Sequence, residues 1–119
     1  MKIGSVYESR AGCCVVPRVW RAAGRWDRMR GLLGRPRLVE GEGMLIESCG
    51  MVHTFGMTYR LDLAFLDKQW RVCKLVADLA PARCAGSLLA GTTLELAPGT
   101  LDRIRLSVGD VLTWKEAAQ

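Results

Sequence analysis

One stretch of the sequence concentrates side chains that can do chemistry. It runs from Cys49 to Met57 and includes the chain's single histidine, His53. If the stretch is a β-strand, its two-residue period puts Cys49, Met51, His53, Phe55 and Met57 on one face. Thiol, thioether and imidazole groups suit a soft metal such as Cu(I), and thiol and imidazole also bind Zn(II). One prediction is therefore a bound metal ion, copper or zinc, with Cys49, Met51, His53 and Met57 as ligands. The alternative is that Met51, Phe55 and Met57 are core residues.

The same stretch also offers a thiol and a base for nucleophilic catalysis. Cys49 or Cys84 would attack as the thiolate, and His53 would accept its proton, as in a Cys–His hydrolase. Such a site needs a further group to orient the imidazole. The sequence contains no nucleophile elbow, phosphate-binding loop or zinc-protease motif. The hydrolase, with Cys49 and His53 as catalytic candidates, is kept as an alternative, but the lack of a complete catalytic set favours a protein that is not an enzyme.

Two acidic residues interrupt apolar strands elsewhere in the chain. Asp62 lies within Leu61–Leu66, and Glu95 lies between two leucines. A buried acid must be hydrogen-bonded or paired, so either residue could accept backbone N–H groups or pair with an arginine. The leading hypothesis is a non-enzymatic accessory domain with a polar pocket near His53, Asp62 and Glu95. Its ligand would be an unidentified small molecule or a protein partner.

The elements that must position these residues are mostly short strands. Residues 25–33 have helical spacing, with Gly34 as a C-cap and Pro36 beyond it. A short helical turn is predicted at about 100–106, capped by Thr100. The remaining pattern predicts strands in 13–20, 44–47, 49–57, 61–66, 70–80, 92–97 and 111–114. The chain is therefore predicted to be a single mostly β domain of the α+β class, an antiparallel sandwich or barrel-like fold, with a disordered tail at 115–119.

The composition narrows the setting of the protein. The 119 residues carry a net charge of +5, and seven arginines fall between Arg18 and Arg37. Nucleic-acid binding by this basic stretch is not favoured, because Trp26 is better placed on the core face of the predicted helix. No signal peptide or membrane-spanning segment is visible, and the five cysteines form no C-x-x-C pair. These features predict a cytoplasmic protein with reduced thiols.

Six short motifs resemble, in order and spacing, those of the domain-of-unknown-function family 192. They are Gly31-Leu32-Leu33-Gly34-Arg35, Gly43-Met44-Leu45, Phe55-Gly56-Met57, Leu61–Asp67, Leu94–Gly99 and Gly109-Asp110. The likeness covers about residues 26–114. It implies a small, mostly β domain and no established biochemical role. Many members look exported or membrane-associated, with a leader that this chain does not show. Arg35, after the predicted helix, is expected to pair with Asp62 or Glu95 and is a further candidate binding residue.

Overall fold

The computed structural model of the chain describes residues 1–22 and 36–118. The predicted helix at 25–33, Arg35 and most of the basic stretch lie outside the described residues. Within the described ranges the chain forms nine strands and one short helix. The strands are β1 (Lys2–Glu8), β2 (Cys13–Ala22), β3 (Glu42–Glu47), β4 (Met51–His53), β5 (Leu61–Leu66), β6 (Val72–Leu79), β7 (Cys84–Gly86), β8 (Thr92–Leu96) and β9 (Leu112–Glu116), and the helix is α1 (Thr100–Ile104).

Seven of these strands form one sheet, in the order β6-β5-β8-β3-β2-β1-β9, and β4 pairs with β7 in a second, two-stranded sheet. This confirms the mostly β prediction. The large sheet is not closed into a barrel, and its edges meet only at one corner, where Arg71 and Val111 form an isolated bridge. It is also not wholly antiparallel, because β2 runs parallel to β3.

The two faces of the large sheet carry separate apolar cores. The inner core draws on every strand of the sheet and on α1, so the sheet curls around it. Its fully buried members include Val6, Val19, Leu45, Leu66 and Leu96, with Leu101 from the helix. Because strand side chains alternate between faces, the neighbouring residues form the outer core on the other side. That core includes Met44, Ile46, Leu61, Leu63 and Phe65, and Val52 of β4 covers part of it.

The short helix begins differently from the prediction. Gly99, with a φ of 86°, precedes it in the left-handed conformation, and no side chain at that position caps the helix. Thr100 is the first helical residue rather than the cap. The Asp62 carboxylate accepts the backbone N–H of Leu101 at 2.9 Å and so satisfies a helix N-terminal donor from a neighbouring strand.

Two other boundaries differ from the predictions. The expected strand 49–57 is reduced to the three residues of β4, because the chain turns at Gly56, whose φ is 82°. At the C-terminus, Lys115 and Glu116 pair with Ser5 and Gly4 of β1, so the predicted disordered tail is ordered at these two positions. No strand was predicted in the region that forms β1.

Candidate functional site

The residues of the predicted metal site are divided between two environments. Met51 and His53 point to solvent from β4, while Val52 between them is buried. Cys49 and Met57 instead pack against the outer core, and the Cys49 thiol donates to the Met51 carbonyl oxygen at 2.9 Å. Because β4 covers only Met51–His53, the two-residue period does not extend to Cys49 and Met57, and the four side chains are separated instead of gathered. Among the described residues, no three His, Cys, Asp or Glu side chains are placed to hold a metal ion.

The partner of His53 across the strands is Cys84 rather than Cys49. His53 and Cys84 are directly paired in the β4–β7 sheet, and both are exposed. The His53 ring stacks on Phe55, with 5.4 Å between ring centroids. Phe55 and Met51 are exposed, by 52% and 68%, so the alternative that they are core residues is wrong. Cys49 and His53, the predicted catalytic pair, face different surroundings.

Both carboxylate oxygens of Asp62 accept hydrogen bonds from the backbone. One carboxylate oxygen accepts the backbone N–H of Asp78 at 2.9 Å, and the other accepts that of Leu101. Arg60, the arginine two residues before it in the sequence, contacts Asp78 and not Asp62. Asp62 therefore joins β5, β6 and the start of α1, and its burial is compensated by backbone donors as a buried carboxylate requires.

Asp62 and Glu95 lie on opposite faces of the large sheet. Glu95 of β8 is paired with Leu63 of β5, so it shares the outer face with Leu63, whereas Asp62 points to the inner core. His53 belongs to the separate β4–β7 sheet. The prediction of one pocket formed by His53, Asp62 and Glu95 is therefore wrong, because the two-residue period of β5 turns Asp62 away from Glu95.

Glu95, the other predicted buried acid, has a carboxyl group that is buried but not fully hydrogen-bonded within the described residues. It is 4% exposed, and its Oε2 atom has no hydrogen-bond partner among the described residues; the hydroxyl of Tyr59 is likewise buried and has no partner there. Burial raises the pKa of Glu95 to about 7, since desolvation disfavours the charged form. Burial also raises the pKa of Tyr59; the Glu95 charge raises it further, and the Arg37 guanidinium lowers it. The charges of Glu95 and Arg37 therefore both act on the Tyr59 hydroxyl.

A pocket adjoins these residues on the outer face. Its volume is about 310 Å³, and it is lined by Met1, Trp20, Pro36, Arg37, Leu38, Glu42 and Met44. Trp20, Met44 and Glu95 are successive partners across β2, β3 and β8, so they form a row on one face of the sheet. Arg37 connects the two regions, because it lines the pocket and lies over the Tyr59 ring at 5.3 Å. We call this pocket, together with the adjacent Glu95 and Tyr59, the Glu95 pocket; Glu95 and Tyr59 themselves are not among the residues that line the cavity.

Of the predicted site residues that the structure describes, Glu95 alone belongs to the Glu95 pocket. The sequence analysis did not identify Trp20, Arg37, Met44 or Tyr59 as candidate binding residues. The sequence signal available for Glu95 was its position between two leucines. The row of Trp20, Met44 and Glu95 has no such signal, since it depends on the register of three strands that are distant in sequence. The expected pairing of Arg35 lies outside the described residues.

The fold and these groups define a class: a small β-rich α+β domain with a curled, open sheet and a buried acid beside a pocket. The chain belongs to the domain-of-unknown-function family 192, described as "Uncharacterized ACR", whose model matches residues 8–114. The resemblance of the motifs to this family is thereby confirmed. No curated protein matches the chain. Within the described ranges, no helix is both long and apolar enough to cross a membrane.

Two solved structures are similar to this chain. One is a proposed transcription regulator from Sinorhizobium meliloti 1021, with 22% identity and a TM-score of 0.82 over 96% of this chain and 94% of that one. The other is a protein of unknown function from Novosphingobium aromaticivorans DSM 12444, with 20% identity and a TM-score of 0.73 over 94% of this chain and 84% of that one. At these identities the likeness shows a shared fold.

Proposed function

We propose that this chain is a non-enzymatic accessory domain that binds a small ligand in the Glu95 pocket. The observation that carries the proposal is a pair of buried polar atoms, Oε2 of Glu95 and the hydroxyl of Tyr59, for which residues 1–22 and 36–118 supply no hydrogen-bond partner. Leaving such an atom unsatisfied costs about 1–3 kcal/mol, so such atoms are rare and each requires an explanation, such as a bound water, ion or ligand. A ligand whose hydrogen-bonding groups reach past the lining residues Arg37 and Met44 would satisfy them.

The chemistry of the pocket indicates the class of ligand. Trp20, Leu38 and Met44 supply apolar walls, which suits an apolar body of modest size, since 310 Å³ is at the lower end of the range for ligand pockets. Arg37 offers donors and a positive charge to an acceptor or anionic group. Glu95, with a pKa of about 7, accepts from a donor when ionised and donates when protonated. A compact molecule with an acceptor or anionic group and a separate donor fits both ends.

The experiment is a thermal-unfolding screen of the full chain against amino acids, small amines and small aromatic carboxylic acids. Compounds that carry both kinds of polar group should raise the melting temperature, since a ligand at about 100 times its Kd stabilises a protein by about 2.7 kcal/mol. The affinity of the best compound should fall about tenfold or more in Glu95→Gln and in Arg37→Gln, because each loses a charged hydrogen-bonding partner.

Arg60→Gln is the matched control, since Arg60 is an exposed arginine that contacts Asp78 and not the pocket. Its affinity should equal that of the unchanged chain. If no compound of the panel stabilises the chain, or if Arg60→Gln weakens binding as much as Arg37→Gln does, the pocket is not the binding site.

A cytoplasmic location is part of the proposal. All five cysteines are free, and Cys13, Cys14 and Cys84 are exposed. Exposed free thiols persist in a reducing compartment and are oxidised in an oxidising one. A protein partner in place of the small ligand would have to present the same two polar groups within the pocket.

A further inference from the structure

The β4–β7 sheet and the turn that follows it present an apolar surface to solvent. Of the seven large hydrophobic side chains that are exposed among the described residues, four lie here: Met51, Phe55, Leu88 and Leu89. Leu88 is 105% exposed and therefore protrudes beyond its neighbours, and Leu89 is 72% exposed. We call these four residues the β4–β7 surface. An exposed group of this kind indicates an interaction with a protein or a membrane.

The exposure of the two leucines is built into the fold. The turn from Ser87 to Ala90 is closed by the Ala90 N–H donating to the Ser87 carbonyl oxygen, and the Ser87 N–H donates to the carbonyl oxygen of Gly50. A Cβ atom at Gly50 would lie 3.0 Å from the Ala90 carbonyl oxygen, so the turn packs closely on this glycine. The turn is therefore fixed against β4, with Leu88 and Leu89 held outward.

The charge around the β4–β7 surface is positive. Residues 48–61 and 79–94, which form the sheet and its flanks, contain no Asp or Glu and include Arg60 and Arg83. Arg83 is exposed next to β7, and the Lys74 ammonium group donates to the Gly86 carbonyl oxygen at 2.7 Å. Asp78, an exposed acid that contacts this region, is paired with Arg60. Protruding leucines beside basic side chains are typical of segments that lie on anionic membranes.

We propose that the β4–β7 surface docks the domain on an anionic lipid surface, with Leu88, Leu89 and Phe55 entering the headgroup region and Arg83 and Lys74 contacting lipid phosphates. The charge favours an anionic lipid surface as the occupant, since the protruding side chains lie beside basic residues and residues 48–61 and 79–94 contain no acid. The docking is independent of the Glu95 pocket, which lies on the face of the large sheet and uses none of these residues.

The test is co-sedimentation of the full chain with phosphatidylcholine vesicles, prepared with and without phosphatidylglycerol. The chain should bind the vesicles that contain phosphatidylglycerol, and added salt should weaken binding by screening the basic residues. The partition coefficient of the double variant Leu88→Ser, Leu89→Ser should be at least about tenfold lower, because the apolar contact with the lipid is removed. Arg83→Glu should also weaken binding, and more at low salt than at high salt.

Val108→Ser is the matched control, since Val108 is 63% exposed and lies outside the β4–β7 surface. It should bind as the unchanged chain does. Absence of binding to phosphatidylglycerol vesicles at low salt would overturn the proposal, as would equal losses in Val108→Ser and the leucine variant. Sedimentation of the chain as a dimer that the leucine variant abolishes would also overturn it, because the surface would then bind a second copy.

Discussion

Replacing Glu95 with glutamine should change how the stability of the domain depends on pH. The pKa of Glu95 rises from 4.5 to about 7 on folding, because burial disfavours its charge. Below pH 4.5 the carboxyl is protonated in both the folded and the unfolded chain. Between pH 4.5 and about 7 the unfolded chain loses this proton while the folded chain keeps it, so the free energy of unfolding falls as the pH rises.

The size of the effect follows from the two pKa values. The interval from 4.5 to about 7, at about 1.4 kcal/mol for each pH unit, corresponds to about 3 kcal/mol. This loss is complete once the pH exceeds the folded pKa. Because most small domains have only about 5–15 kcal/mol of stability, the change is a large fraction of the total. Glutamine has nearly the shape of glutamate and no charge to titrate, so it removes this contribution.

The assay is urea unfolding of both chains from about pH 5 to about pH 9. The free energy of unfolding of the unchanged chain should fall relative to that of Glu95→Gln by up to about 3 kcal/mol across this range. Comparing pH dependences rather than absolute stabilities removes the constant cost of burying the amide. Glu116→Gln, at an exposed glutamate, should follow the unchanged chain. Parallel curves for the unchanged chain and Glu95→Gln would refute the reasoning.

Three further predictions concern the fold and the thiols. Asp62→Asn should lower the free energy of unfolding by about 1–3 kcal/mol in urea, because an amide oxygen replaces only one of the two acceptors that hold α1 and β6; a loss below about 0.5 kcal/mol would contradict this. Gly4→Ala should destabilise by about 1–3 kcal/mol or more, since its Cβ would overlap the Lys115 carbonyl oxygen and the Trp114 ring, whereas Gly91→Ala, with open space, should stay near the unchanged chain in the same assay. Mass spectrometry after brief alkylation should find the exposed thiols of Cys13, Cys14 and Cys84 modified first. Equally early modification of the half-buried Cys49 or Cys73 would contradict this prediction.

Much of the fold was predictable because its signals are local. Leu61–Leu66 and Thr92–Leu96 read as strands from β-branched and apolar runs, and both are fully buried. The helical turn at about 100–106 was predicted from Thr100 as its cap, and the structure has a helix there with Thr100 as its first residue. β1 was not predicted, because Gly4 and polar residues weaken its alternating pattern. Its pairing with β2 and β9 stabilises the strand in spite of its weak local β-propensity.

The site was harder to predict, because it depends on which strands become neighbours. The prediction that Met51, His53 and Phe55 share one face agrees with the structure, in which all three are exposed to solvent. The sequence contains no signal that the opposite side packs on the outer core, or that the strand ends at His53. Likewise, Glu95 was recognised as a buried acid, but its neighbours Met44 and Trp20 come from β3 and β2, and Tyr59 follows a turn. Such non-local register is set by the packing of the whole sheet.

The central claim is that a small ligand occupies the pocket beside Glu95 and Tyr59. Nuclear magnetic resonance of the full chain tests it most directly, with resonances assigned for the Trp20 indole N–H, the Met44 methyl and the Tyr59 ring. Addition of the best compound from the thermal screen should shift these three resonances in a saturable way and leave those of His53 and Leu88 unchanged. Saturable shifts confined to the β4–β7 surface, or no shifts at Trp20, Met44 and Tyr59, would contradict the claim.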